Sequence, residues 1–261
     1  MKIVFTGGGT GGHFYPLIAV AEELRQLAYD HKLVEAKLYY LSSSNYNQNA
    51  LAEQGIDYYQ IPAGKWRRYF SLLNFFDLLK TTKGLLIAIW HLFWIYPDIV
   101  FSKGGFDSMP TVWAARFLRI PIFIHESDSR PGRANLSAAK FATRIAVSHP
   151  QAAKFFPKNK TAVTGNPIRK TIKNPAKEGA WQFLKLDPEK PVIIVLGGSQ
   201  GSAKINNVVL DILPNLLKDY QIIHQAGKTN FDEVKARADY YFLENEEITS
   251  KNYKLYAYLN D

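Results

Sequence analysis

At 261 residues the chain has room for one large α/β domain or two modest ones. Its 47% hydrophobic and 21% charged residues exclude a disordered or fibrous chain, and zero cysteines exclude a disulfide scaffold, a thiolate metal site and a cysteine nucleophile. The net charge of +9 asks for an acidic partner or surface, and residues 130–190 alone carry +10 of formal charge.

In chain order, Lys2–Thr6 (KIVFT) reads as a short apolar strand, Gly7–Gly12 as a glycine turn, and Pro16–Ala28 as a helix with apolar positions at helical spacing. With Met1-Lys2 running straight into a strand, no cleavable leader is expected, and a reducing, cytoplasmic setting follows. Lys37–Leu41 is a second strand candidate; Asp98–Ser102, Pro121–His125 and Arg144–Ser148 are later ones, separated by helical stretches at Ser108–Leu118 and Pro131–Phe141. Strands alternating with helices predict parallel βαβ units and a doubly wound sheet. The proline-bearing, basic stretch Pro167–Pro191 reads as a linker. The program then restarts with strand Pro191–Leu196, glycine turn Gly197–Gly201, helix Ala203–Lys218 and strands at Tyr220–His224 and Tyr253–Leu259. Two similar nucleotide-binding-like halves facing a cleft are expected, over residues 1–166 and 167–261, the second incomplete.

Between the halves' opening loops lies Leu85–Tyr96, twelve strongly apolar residues. A spanning helix needs about 20, so no transmembrane segment is read there, and a core helix is the plain alternative. Upstream, Lys65, Arg67, Arg68, Lys80 and Lys83 surround Trp66, Phe70, Leu72, Leu73, Phe75, Phe76, Leu78 and Leu79. Aromatic and aliphatic side chains rimmed by basic ones suit a peripheral attachment to anionic lipid.

Three glycine loops carry the chemistry: Gly7–His13, Lys103–Pro110 and Gly197–Gly201. Each lies where a strand ends and a helix begins, so backbone can approach a ligand closely and a helix N-terminus offers unpaired N–H groups to an anion. Phosphate-bearing ligands are expected. There is no G-x-G-x-x-G with an acidic residue about 20 positions on, and no loop ends in Gly-Lys-Ser/Thr, so neither a dinucleotide fingerprint nor a Walker loop is present.

The strings FTGGGTGGHFYP, SKGGFDSMP, HESDSRPGRAN, TGNPIR, LGGSQGS and HQAGK, in this order, resemble the MurG family of UDP-N-acetylglucosamine transferases. That resemblance implies a GT-B type fold, two Rossmann-like domains, with no cofactor and no essential metal. It implies an inverting hexosyltransferase that moves GlcNAc from UDP-GlcNAc to undecaprenyl-diphospho-muramoyl-pentapeptide in peptidoglycan synthesis, peripheral on the cytoplasmic face of the plasma membrane. Carried over, Thr10, Gly11 and Gly12 are expected at the donor sugar, with Asp128 and Arg169 on the donor side and Ser199, Gln200 and Gly201 at the donor diphosphate. Gly9, Gly104, Gly105 and Ser108 are expected at the acceptor diphosphate, and Phe75, Phe76, Leu79 and Lys80 at the membrane. Asp128 stands where many members have Asn, which replaces a donor-and-acceptor amide by an acceptor.

An inverting transfer needs a proton acceptor within hydrogen-bond reach of the attacking hydroxyl. His13 and Glu126 are the candidates; His13 has a suitable ordinary pKa, and each has a structural role as its alternative, holding the loop or capping a turn. His125 and His224 read as packed histidines. Family members continue beyond the position of Asp261, so a second reading stands beside the transferase: an incomplete relative that only binds the lipid-diphosphate acceptor and the membrane. The basic excess could also suit nucleic acid, but residues 130–190 have few interleaved aromatics and no nucleic-acid motif, so no such partner is expected.

Overall fold

The structure is a computed structural model describing residues 1–8, 10–32, 36–65, 73–174, 179–198, 200–244 and 250–259. The chain divides into two units, Met1–Asn174 and Pro175–Asp261. The NPIR segment just past residue 166 stays with the first unit because it is strapped to the first helix. The Lys170 backbone N–H donates to the Glu22 carboxylate at 2.9 Å, and the Lys173 ammonium lies 3.8 Å from Glu23.

The first unit runs β1 (Lys2–Thr6), α1 (Gly11–Asp30), β2 (Lys37–Ser42), α2 (Gln48–Glu53), β3 (Ile56–Gln60), α3 (Leu73–Ile95), β4 (Ile99–Ser102), α4 (Met109–Phe117), β5 (Ile122–Glu126), α5 (Arg133–Ala138), β6 (Arg144–Val147), α6 (Pro150–Ala153), β7 (Thr161–Val163) and α7 (Lys170–Lys173). Its seven strands form one parallel sheet in the order β3-β2-β1-β4-β5-β6-β7. Strand β1 shows why its sequence is apolar throughout. Ile3 and Phe5 pack under α1 with Phe14, Leu17 and Ile18, while Val4 points to the other face with Val100 and Val112. A parallel strand covered on both faces reads as a continuous apolar run. The strand order reverses between β1 and β4, and in open α/β sheets ligands bind outside the carboxyl ends of the strands at such a point.

Helix α3 corrects the reading of Leu85–Tyr96 as a separate apolar stretch. Those residues, through Ile95, are the second half of a 23-residue helix. Asn74–Ile95 is long and apolar enough to cross a membrane by length and composition, with 22% of the window tested buried. One stripe belongs to the core: Ala88, Leu92 and Ile95 are buried, and the helix packs against α4. A methyl group on Gly84 would stand 1.8 Å from the Pro62 carbonyl oxygen, so glycine permits this close approach. The remaining surface exposes Phe75 (63%), Phe76, Leu79, Leu86, Trp90, Phe93 and Trp94 (65%).

The second unit runs α8 (Ala180–Phe183), β8 (Val192–Leu196), α9 (Ala203–Asp219), β9 (Gln221–Gln225), α10 (Phe231–Glu244) and β10 (Tyr253–Tyr256), with the described strands parallel in the order β10-β9-β8. His224 is a packed histidine. It is fully buried, its Nε2–H donates to Asn206 Oδ1 at 3.1 Å, and its Nδ1 pairs with the Tyr253 hydroxyl at 2.8 Å. The amide carbonyl of Asn206 can only accept, which fixes the ring's tautomer.

Candidate functional site

The adjacency of β1 and β4 brings the first two glycine loops together. A methyl on Gly105 would come 3.2 Å from the Gly8 carbonyl oxygen and 3.6 Å from His13 Nε2, so the imidazole lies over Gly105. Gly104 and Gly105 both have φ of +84°, a region that favours glycine. Gly104 also backs directly onto the Asn135 amide. Ser108 is buried, and its hydroxyl donates to the Gly105 carbonyl at 2.9 Å, so it shapes this loop.

At the carboxyl ends of the strands lies an open cavity of about 560 Å³, lined among others by Thr10, Gly11, Gly12, His13, Lys103, Glu126, Ser127, Asp128, Asn166 and Arg169. His13 stands on the first turn of α1, where its Nδ1 and Thr10 Oγ1 are 3.0 Å apart. Burial, then the nearby Lys103 ammonium, hold its pKa below the ordinary histidine value, against the opposing pull of Glu126 and Asp128. His13 is therefore neutral at pH 7 and able to take a proton.

Glu126 ends β5 and is 5% exposed. One of its oxygens accepts from the Asp128 backbone N–H at 2.9 Å; the other accepts from the Gly132 N–H and the Asn135 side-chain amide, both at 3.0 Å. Three donors converge on one carboxylate, which thereby fixes the turn from β5 to α5. Asp128 is exposed on the rim of that turn. His125 is packed: its Nε2–H donates to the Gly165 carbonyl at 3.0 Å, and burial takes its pKa down to about 4. Arg169 places its guanidinium 4.2 Å from the centre of the Tyr15 ring.

Spacing alone passes over Lys103. It is 2% exposed, and burial lowers its pKa to about 8, opposed by Glu126 and Asp128. Its ammonium donates to Ser127 Oγ, which donates to Asn166 Oδ1 at 2.7 Å; Ser148 Oγ donates to the same oxygen at 2.9 Å. The chain of polar groups thus links the ends of β4, β5 and β6 to the loop after β7.

In the second unit the third glycine loop is braced by the HQAGK segment and by Asn230 just beyond it. Gln225 Nε2 donates to the Gly198 carbonyl at 2.9 Å, and Asn230 Nδ2 to the Gln200 carbonyl at 3.2 Å. The loop leads into α9, capped by Ser202, so its backbone ends at a helix N-terminus suited to an anion. Gln200 is exposed there and Gly201 half-buried. Gly9 and Ser199 lie outside the described residues, as do Trp66, Arg67, Arg68, Phe70 and Leu72 of the basic aromatic stretch.

Residues 3–147 match the glycosyltransferase family 28 N-terminal domain and residues 192–261 the family's C-terminal domain. A Bacillus cereus protein named UDP-N-acetylglucosamine--N-acetylmuramyl-(pentapeptide) pyrophosphoryl-undecaprenol N-acetylglucosamine transferase 2 is 42% identical over 232 residues, 89% of this chain and 64% of that protein. A Clostridium botulinum transferase of the same name without the numeral is 39% identical over 260 residues, 100% of this chain and 68% of its own length. The chain belongs to the MurG family of glycosyltransferase family 28. It spans 64% of the length of its Bacillus cereus relative. Acinetobacter baumannii MurG superposes with a TM-score of 0.62 at 24% identity, covering 100% of this chain and 67% of that one. A UDP-GlcNAc 2-epimerase of Methanocaldococcus jannaschii gives 0.66 at 14%, covering 100% and 73%. At those identities the structures speak for the fold alone, α/β of the GT-B type. Family membership rests on the sequence matches.

Proposed function

We propose that this chain acts in the transfer of GlcNAc from UDP-GlcNAc to undecaprenyl-diphospho-muramoyl-pentapeptide, with inversion at the sugar's anomeric carbon. The observation that carries the reading is a neutral imidazole, His13, held on a glycine loop inside a cavity at the switch point of the sheet. In the tautomer whose Nδ1–H donates to Thr10 Oγ1, Nε2 presents its lone pair. That nitrogen takes the proton of the acceptor hydroxyl as its oxygen bonds to the anomeric carbon and the bond to UDP breaks. Glu126, with three hydrogen bonds already on its carboxylate, supports the cavity wall. The Gly104-Gly105 backbone faces the acceptor's diphosphate; the loop leading to α9 takes the donor's, where charge grows as UDP departs. Thr10, Gly11, Gly12, Asp128 and Arg169 border the donor sugar.

The test is transfer of labelled GlcNAc from UDP-GlcNAc to a short-chain lipid-diphosphate acceptor. Inverted product, dependent on the acceptor's diphosphate, is expected. Acceptor binding without turnover would leave a lipid-diphosphate binding module, and epimerised UDP-GlcNAc without acceptor would overturn the reading.

The exposed apolar face of α3 supports a reaction held at a lipid surface. Because Ala88 and Leu92 are fixed in the core, the helix lies along a membrane with Phe75, Phe76 and Leu79 turned to the acyl boundary and Lys80 to anionic headgroups. The reading that fits this face is a peripheral attachment on the cytoplasmic side of the plasma membrane. The double change Phe75→Ser and Phe76→Ser is expected to reduce flotation with anionic vesicles at least tenfold, the two rings each contributing on the order of 2 kcal/mol. Unchanged flotation would move the attachment elsewhere.

A further inference from the structure

Lysine is almost never fully buried unless paired, and burying an unpaired ammonium is costly. Lys103 is buried at the wall of the His13 cavity, and Ser127 Oγ is its one hydrogen-bond acceptor among the described residues. An ammonium has three N–H donors, so two find no acceptor among the described residues. Two carboxylates line this cavity: Glu126 is taken by the Asp128 and Gly132 N–H groups and the Asn135 amide, and Asp128 is exposed on the rim, so neither accepts from Lys103 among the described residues. The position is also fixed: Lys103 N–H donates to the Thr6 carbonyl at 2.9 Å, and a methyl on Gly7 would come 2.9 Å from Lys103 Cβ. A rigid buried cation with spare donors at a cavity wall is a site for an anion that arrives with a ligand.

We propose that Lys103 binds a diphosphate oxygen of the lipid-linked acceptor, donating the N–H groups that Ser127 leaves free. The inference rests on the acceptor reading of this cavity and adds to it a residue with a second effect. Three charged groups act on His13: Lys103 from the β4–α4 loop draws its proton affinity down, while Glu126 and Asp128 from the β5–α5 turn draw it up. An acceptor diphosphate paired with Lys103 cancels the cation's field. His13 is then a weak base in the empty cavity and a stronger one when the acceptor is bound. Substrate binding itself raises the basicity of the group that must take the proton, and the acid limb of kcat lies at higher pH than that of kcat/KM.

Two measurements test this without calling on turnover. Farnesyl diphosphate and UDP are titrated separately into the wild-type chain and into Lys103→Met, which keeps the stem and removes the charge. Farnesyl diphosphate affinity is expected to fall at least tenfold and to recover in part in Lys103→Arg, with UDP affinity unmoved. Equal farnesyl diphosphate affinity in wild type and Lys103→Met, or a loss confined to UDP, overturns the proposal. In the wild-type chain alone, the NMR titration midpoint of the His13 ring is expected to move to higher pH when farnesyl diphosphate is added. An unmoved midpoint overturns it as well, even where Lys103→Met does not fold. A chain that shows both diphosphate effects but transfers no GlcNAc keeps this inference and loses the transferase reading.

Discussion

Replacing His13 by alanine is expected to slow GlcNAc transfer by about 10²–10⁴-fold, the usual contribution of a positioned general base. Thermal stability is expected to move by less than about 1 kcal/mol, because the side chain is half-buried and its one hydrogen-bond partner among the described residues is the neighbouring Thr10 hydroxyl. The acid limb of the rate profile disappears with the imidazole. That limb sits below the ordinary histidine value in the free protein, since burial and then Lys103 lower the His13 pKa. Protonation therefore removes activity as the pH falls. Glu126→Gln is the contrasting variant. Its amide nitrogen cannot accept the hydrogen bonds that the carboxylate takes from Asp128, Gly132 and Asn135, so the first unit is expected to lose about 2–3 kcal/mol. If Glu126→Gln kept full stability yet abolished transfer while His13→Ala still turned over, the assignment of the base would reverse.

The two candidates could not be separated in the sequence because each sits in a motif at a strand end. What separates them is how many donors each already serves, and that is tertiary information. Strands β1, β2, β4, β5, β6, β8, β9 and β10 are legible because each carries a short, mainly apolar run of the kind a parallel sheet needs. The same signal passes over β3, where IDYYQ mixes acidic and polar residues at one sheet edge, and over β7, three residues at the other. It also passes over α10, whose charged FDEVKARADYYFLE lacks a long apolar run. Helix α3 is read short because its basic and apolar halves look like separate segments, although one helical surface carries both. The glycine loops are legible as anion sites, and parallel pairing then gathers the first two at one point. Lys103 is not legible: only burial without a carboxylate partner marks it, and a lysine beside two glycines looks like solvent-facing loop in a linear string.

Gly201→Ala is expected to destabilise the second unit by about 3–5 kcal/mol and to abolish tight UDP binding, whereas Gly198→Ala in the same loop costs about 1–2 kcal/mol. Both glycines have positive φ, +78° at Gly198 and +75° at Gly201, so an alanine pays the same backbone strain at either. They differ in what a methyl group meets. At Gly198 nothing lies within 4 Å; at Gly201 the methyl would be 1.9 Å from the Ala226 carbonyl oxygen and 2.7 Å from Asn230 Nδ2. That carbonyl cannot retreat cheaply. It accepts from Asn206 Nδ2 at 3.0 Å, and the Ala226 N–H donates to Tyr256 at 2.9 Å. Asn206 is itself buried and accepts from His224 at 3.1 Å, so a shift of Ala226 unsatisfies polar groups through the core. Calorimetry is the check, reading the transition of the second unit against that of the first. Matching losses for Gly198→Ala and Gly201→Ala would mean that φ alone governs the loop and that its contact with the HQAGK segment contributes nothing.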